Sequence, residues 1–255
     1  MKAVILLAGM GSRLAELTVS APKSLLPIGG SNTLEHMIRK LTKQDVRSIV
    51  IVCGHLQAAI EQYLQQAFPL LEITTLRNPD YRTTNTGYSL LLAREQLVGE
   101  TFIKLDGDVI FDEEILTRLV TAADGWSYAC VDRTAVDEEM IKVRCDTEGN
   151  ISGIGNDVPL ASAAGESIGV ERIDERSSAA LFTTLEAMME DPAKHQRYYE
   201  VAYDAIVQAG EPFKALDITG LSWVEIDTLE DYDLAQHMFG RADAQRCCLE
   251  EAGGT

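Results

Sequence analysis

The stretch MKAVILLAGMGSRLAELTVSAPKSLLP, residues 1–27, decides how the chain is read. An apolar run from Val4 to Ala8 enters a turn with glycines at 9 and 11. Arg13 follows almost at once, and Lys23 comes directly after Pro22. A buried strand running into a glycine turn lets backbone N–H groups approach a phosphate without side-chain obstruction. Arg13 and Lys23 could then neutralise a triphosphate. An ordinary strand-to-helix turn uses the same glycines, so the basic pair and the PKSLLP segment carry the phosphate reading. The spacing excludes two familiar cradles. GMGSRL lacks the GxxxxGK[ST] pattern of a Walker loop, and Leu14 stands where GxGxxG requires its third glycine.

Outward from that stretch, 255 residues suffice for one large α/β domain or two small ones. A hydrophobic fraction of 46% supports an ordinary core. No stretch approaches the ~18 uninterrupted apolar residues of a transmembrane helix. The N-terminal apolar run lacks a cationic region and a cleavage site, so it is expected to be the first core strand rather than a signal peptide. The net charge of −18 argues against nucleic acid or an anionic membrane as partner. An anionic triphosphate must then be held by local cations against a repulsive field, which gives Arg13 and Lys23 unusual weight. The five cysteines (53, 130, 145, 247, 248) are odd in number and lack CxxC spacing, so reduced thiols in a cytoplasm are expected. Cys53 sits in SIVIVCG and is expected in the core.

The pattern predicts strand 2–8, a glycine loop, helix 32–43 capped by Ser31–Asn32, strand 48–53, helix 56–66 and strand 71–76. A polar loop at 78–87, helix 88–97, strand 101–105 and helix 113–122 follow. From 127 to 175 the pattern breaks into short strands, with EEMIKVRCDTEGNISGIG reading as a hairpin that turns near Glu148–Asn150. Helices at 177–190 and 193–209, the strand LSWVEID and the helix LEDYDLAQHMF complete the chain, and residues 241–255 read as a flexible tail. Strands alternating with helices at this pitch imply an α/β fold: a Rossmann-like, mainly parallel mixed sheet flanked by helices, with a small additional lobe in the second half of the chain. The expected organisation is one domain over 1–240, its halves meeting near 126. In such sheets ligands bind at the carboxyl ends of the strands. The glycine turn, Gly54–His55 and DGDVIFDEE all fall there.

The strand TFIKL delivers Asp106 and Asp108 at its carboxyl end, and WVEIDT offers Glu225 and Asp227 across apolar Ile226. A hard cation such as Mg²⁺ takes a few carboxylates together with phosphate oxygens. Each residue alone has an ordinary alternative, and Asp227 could equally be a helix N-cap. Asn85, Thr86, Gly87 and Ser89 in NPDYRTTNTGYSL could hydrogen-bond a base edge or simply cap a helix. Lys142 on the hairpin could meet a phosphate, or be a strand lysine. Tyr199 and Tyr203 share a helical face, which suits core packing or an aromatic wall for a quaternary ammonium. His36, His55, His195 and His237 are isolated, and no GxSxG elbow, HExxH or Cys–His pair is present.

LLAGMGSRL followed by APKSLLPIGG resembles the LAAGxGxRL…PKxLxPxxG signature of the nucleotidyltransferase superfamily, whose members activate a phosphorylated sugar or alcohol with an NTP. Two further segments are similar to family motifs. DGDVIFDEEIL resembles its internal GDxxF segment, and WVEIDTLEDY the EID[ST]xxD[LY] ending of cytidylyltransferases acting on phosphocholine and related alcohols. The resemblance implies that Leu7, Ala8, Gly9, Gly11 and Ser12 cradle the nucleotide with Gly54, and that Arg13, Lys23 and Asp108 are catalytic. It implies Mg²⁺ on Asp108 and Asp227, with Asp106 near the ribose or metal-bound water. The N…YSL form around Asn85–Ser89 is similar to the base-reading segment and favours cytosine. AAGESIGVERI resembles the acceptor-side GE(x)xG element, placing Glu166 with Lys142 and Tyr199 on the acceptor.

The partners implied are CTP and a small phosphorylated acceptor: phosphocholine, 2-aminoethylphosphonate or inositol 1-phosphate. No nucleic acid or membrane is expected, and a homodimer is left open. A sugar-1-phosphate uridylyl- or guanylyltransferase is the alternative enzyme. A non-catalytic nucleotide-binding regulator is the alternative of another class.

Overall fold

In a computed structural model of the protein, residues 1–18 and 21–252 are described, leaving aside the side chains at 12, 15, 16 and from 241 onward. The side chains of Ser12 and of Cys247–Cys248 therefore lie outside what is described, as do residues 253–255 of the expected tail. The strands in chain order are β1 Lys2–Leu7, β2 Pro27–Ile28, β3 Ser31–Asn32, β4 Ser48–Cys53, β5 Glu72–Arg77, β6 Phe102–Asp106, β7 Val109–Phe111, β8 Ser127–Asp132, β9 Lys142–Cys145, β10 Ile151–Gly155, β11 Gly165–Ile173, β12 Phe213–Asp217 and β13 Trp223–Glu225. The helices are α1 Ala15–Thr18, α2 Thr33–Lys43, α3 Gln57–Ala67, α4 Thr86–Leu92, α5 Arg94–Leu97, α6 Glu113–Thr121, α7 Glu175–Met189, α8 Glu200–Gln208 and α9 Leu229–Ala252.

The apolar run that opens the chain is buried on both faces, as a central parallel strand requires. Ala3, Ile5 and Leu7 of β1 pack into a core with α2, α3 and α6. Val4 and Leu6 face the opposite core with α4, α7 and α8. Across the main nine-stranded sheet the order is β10-β9-β11-β6-β1-β4-β5, with β8 beside β11 and β12 beside β8. Strands β6, β1, β4 and β5 run parallel, whereas β11 is antiparallel to β6, β8 and β9. The fold is thus the mainly parallel mixed α/β sheet expected, and strands from both halves of the chain enter it. Leaving β1, the chain builds β4 and β5 on one side and returns to lay β6 on the other. That switch opens a crevice at the carboxyl ends of β1 and β6, where Leu6 is in register with Asp106.

Local signals account for most boundaries. Asn32 caps α2 by accepting the Glu35 N–H at 2.9 Å, and Asp174 caps α7 through the Arg176 N–H. Three expectations are corrected. The helix expected over 193–209 begins only at Glu200, because the carbonyls of His195 and Arg197 accept N–H bonds from Asn85 and Gly87 and so are unavailable to a helix. The final strand is confined to Trp223–Glu225 and does not join the main sheet. It pairs antiparallel with β7. Helix α9 continues to Ala252, beyond the end expected near 239. Among the described residues no helix is long and apolar enough to cross a membrane. Cys53 is fully buried, as expected.

Candidate active site

The crevice at the switch point is a cleft of about 830 Å³. Its floor is the β1 end and the glycine turn, so Leu7, Ala8, Gly9 and Gly11 line it, with Arg13 and Lys23 on the wall. Directly opposite stands the β7–β13 ladder, which pairs Glu225 with Val109 and lets Ile226 N–H donate to the Asp108 carbonyl at 2.9 Å. This two-stranded pairing brings Asp108 together with Glu225 and Asp227, which lie more than a hundred residues further along the chain. Their carboxylate oxygens lie within 4.8 Å of one another, the spacing at which one hard cation is shared.

Lys23 bridges the group, its Nζ 3.0 Å from Asp108 and 2.6 Å from Asp227. Arg13 donates to the other Asp227 oxygen. Burial alone would lower the Lys23 ammonium, but the charges of Asp108 and Asp227 outweigh it and hold the pKa above its ordinary value. Enclosure by the cleft, with the charges of Asp108, Asp227 and Asp106, raises Glu225 to about 8 although its side chain is exposed. Asp227 is left for this role because α9 has a different cap. Asp231 Oδ2 accepts the N–H groups of Asp227 and Thr228, and the Asp231 N–H donates to Thr228 Oγ1 at 3.2 Å. The Thr–x–x–Asp reciprocal cap removes the N-cap alternative for Asp227.

Asp106 faces away from the metal-sized cluster into a buried network. Its Oδ2 accepts from Lys104 Nζ at 2.7 Å and from the Tyr199 hydroxyl at 2.5 Å. Burial raises Asp106, Lys104 pulls it back down and Asp108 raises it again, leaving a net elevation. Lys104 is wholly inaccessible and also pairs with Glu171 at 3.1 Å, its cross-strand partner in the β6–β11 register. Glycine at 169 is required here. It has φ +73° where β11 changes register against β8, and a Cβ would stand 2.3 Å from Asp106 Oδ2. Lys104, Glu171 and Glu200 were not singled out from the sequence. A lysine inside TFIKL and a glutamate inside GVERI were the available signals, but only the strand pairing joins them.

Several expected contacts are corrected. Lys142 does not reach the cleft: it is buried, and its ammonium donates to the carbonyls of Glu138 and Met140. Gly54 and Gly87 are packing glycines. A Cβ on Gly54 would lie 2.6 Å from the Ala8 carbonyl, and one on Gly87 would lie 2.8 Å from the Arg197 carbonyl. It is His55, beside the Tyr81 ring, that reaches the cleft. Asn85, Thr86 and Ser89 line it, yet each is partly occupied. Asn85 Oδ1 accepts the Thr86 N–H, Thr86 Oγ1 accepts the Tyr199 N–H, and Ser89 Oγ accepts from Asn78 Nδ2. Tyr199 lines the cleft but is 1% exposed, so it offers no open aromatic wall. Glu166 is half-buried in the cleft lining, and burial, then Asp137 and Asp132, raises it to about 7.

The cleft is acidic: nine Asp and Glu side chains line it against Arg13 and Lys23 among the described residues. This excess has a consequence for stability. Burial raises Glu166 and Glu200 to about 7 and Glu171 to about 8 in the folded state, above the ~4.3 of an unfolded glutamate. Between about pH 4.5 and 8 the folded chain therefore binds more protons than the unfolded one, and stability falls as pH rises. The expected outcome is a lower melting temperature at pH 8 than at pH 5.5 in a metal-free thermal scan. A melting temperature that rises over this interval refutes it.

A glycine turn and a carboxylate trio share one cleft at the switch point of a mainly parallel sheet, the arrangement of an NTP-transferase fold. Residues 3–167 match the MobA-like NTP transferase domain, and the chain belongs to that family. It is 31% identical to the CMP-5'-(3-aminopropyl)phosphonate synthase of Streptomyces rubellomurinus, over 99% of this chain and 41% of that protein. It is 33% identical to the choline-phosphate cytidylyltransferase of Haemophilus influenzae, over 56% of this chain and 58% of that protein. The chain thus spans about half the length of these relatives. The inositol-1-phosphate CTP transferase of T. maritima has the same fold, with a TM-score of 0.78 and 20% identity over 94% of this chain and 95% of that one.

Proposed function

We propose that the protein is a Mg²⁺-dependent cytidylyltransferase that moves CMP from CTP to a small phosphorylated alcohol or phosphonate. The observation that carries this reading is Lys23, which stands between the glycine turn and the Asp108–Glu225–Asp227 group within one cleft. The names of the relatives, a CMP-phosphonate synthase and a choline-phosphate cytidylyltransferase, support the reaction class.

The donor set suits the metal, since three carboxylates provide hard oxygens while two cations alone leave a triphosphate in a repulsive cleft. Asp108 and Asp227, with Glu225 beside them, would hold Mg²⁺, which supplies charge neutralisation at the phosphates. The chain's own groups do the rest. The Gly9–Gly11 backbone accommodates the phosphates closely, Arg13 and Lys23 stabilise charge on the α-phosphate and the departing pyrophosphate, and the walls align the two substrates. An oxygen of the acceptor phosphate attacks the α-phosphorus, the bond to the bridging oxygen breaks, and pyrophosphate leaves with the electron pair. No covalent enzyme intermediate is required.

The test is pyrophosphate release by the full chain with each of four NTPs against phosphocholine, 2-aminoethylphosphonate, 3-aminopropylphosphonate, inositol 1-phosphate and glucose 1-phosphate. Release with CTP that depends on one of the first four acceptors is expected. Preference for UTP or GTP with glucose 1-phosphate would move the assignment to a sugar-phosphate enzyme, and silence with every pair would leave a nucleotide-binding regulator.

A further inference from the structure

Lys23 has two duties in the cleft that one ammonium cannot perform together. Its Nζ donates to Asp108 at 3.0 Å and to Asp227 at 2.6 Å, so it stands on two of the three carboxylates placed to share a cation. Arg13 takes the other Asp227 oxygen. In the free protein these two cations therefore already neutralise Asp108 and Asp227. Transfer as proposed above needs the same cations on the phosphates and the same carboxylates on the metal.

The stem of Lys23 puts both duties within reach. It lies along the glycine turn, where a Cβ on Gly11 would stand 3.3 Å from Lys23 Cβ and 3.7 Å from Lys23 Cδ. The head thus rests on the carboxylates while the stem borders the backbone expected to face the phosphates. A lysine carries a compact charge on a flexible four-carbon stem, so side-chain rotation alone can transfer the head from one to the other.

The energetics link the two ligands. A divalent ion arriving alone competes for the oxygens that Lys23 holds. Displacing Lys23 would strand an ammonium only 14% exposed beside carboxylates already neutralised by the metal, and breaking an enclosed pair from one side is costly. A triphosphate removes that cost by offering the displaced ammonium new anionic oxygens. We infer that Lys23 stands in for the metal in the free protein and releases Asp108 and Asp227 when a nucleoside triphosphate arrives, so that metal and nucleotide bind cooperatively. The inference rests on the transferase reading and deepens it by coupling the two halves of its donor site.

Two measurements on the full chain test it, with Mn²⁺ as a probe that suits the same carboxylate oxygens. The first is the Kd for Mn²⁺ without nucleotide, and for CTP with metal, in the parent, Lys23→Met and Arg13→Met. Lys23→Met should bind Mn²⁺ on the order of tenfold more tightly while its Kd for CTP rises, opposite signs for the two ligands. Arg13→Met removes the same charge from a head that is 72% exposed and screened, so its gain in Mn²⁺ affinity should be smaller. The second is the rate at which Lys23 of the parent is acetylated, followed by mass spectrometry. That rate should rise with saturating Mn²⁺ alone and fall again when CTP is added. The inference is overturned if Lys23→Met binds Mn²⁺ no more tightly than the parent, if its Kd for CTP is unchanged, if Arg13→Met matches its gain, or if Mn²⁺ leaves the acetylation rate unmoved. Pyrophosphate release by the parent decides separately. If release persists alongside any of those results, the transferase reading stands without the handover, and silence with every NTP and acceptor removes both.

Discussion

Replacing Asp108 or Asp227 by Asn is expected to lower kcat by at least ~10³-fold, a barrier increase of about 4 kcal/mol. Asn keeps the shape but removes the charge that pairs with Lys23 in the free protein and would hold the cation in the reactive complex. The cost to folding should be small for a physical reason. Both carboxylates are about one-third exposed, and ion pairs so screened are worth ~0–1 kcal/mol. Neutralising one also relieves its repulsion of Glu225. Melting temperatures within about 3 °C of the parent chain are therefore expected. Measuring turnover and Mg²⁺ half-saturation together separates the alternatives. Activity above a tenth of the parent value in either variant would remove that residue from the charge cluster's function. A collapse of the fold would show that the cluster is structural.

Lys104→Met should have the opposite profile, a large loss of stability before any question of chemistry arises. The ammonium is wholly buried and pairs with Asp106 and Glu171, so its removal leaves two enclosed carboxyls uncompensated. Breaking such a pair from one side costs ~3–5 kcal/mol, roughly 10 °C in melting temperature for a domain of this size. The deficit should be greatest at pH 8. Without Lys104 the carboxyls lie further above their unfolded pKa values, so the variant loses stability more steeply than the parent as pH rises from 5 to 8. Adding Glu171→Gln should recover part of the loss, because removing the lysine costs most when its carboxyl partner remains. Equal stability of the single and double variants, or a deficit independent of pH, would contradict the pairing.

These two expectations divide the molecule by what made each site readable. Arg13, Lys23 and the glycine turn lie within fifteen residues, and their meaning depends on local spacing that any reader of the sequence can see. Asp108 and Asp227 were visible as strand-end carboxylates, but 119 positions separate them in the chain. Nothing local says that β13 leaves the main sheet to pair with β7, the step that carries Asp227 to Asp108. The helix start at Glu200 was misplaced for the same reason. The carbonyls of His195 and Arg197 are claimed by Asn85 and Gly87, more than a hundred residues away. Lys142 was misjudged because an amphipathic lysine gives no sign in sequence of whether its head meets solvent, a ligand or, as here, two backbone carbonyls.

The sequence by itself determined the parallel core and the glycine turn that ends its first strand, because hydrophobic periodicity and glycine-turn chemistry are short-range properties of the chain. Only the tertiary structure decided which carboxylates face the cradle and which turn inward onto Lys104. That choice depends on strand register and burial, and a residue's neighbours across a sheet set its charge state as much as its own side chain does.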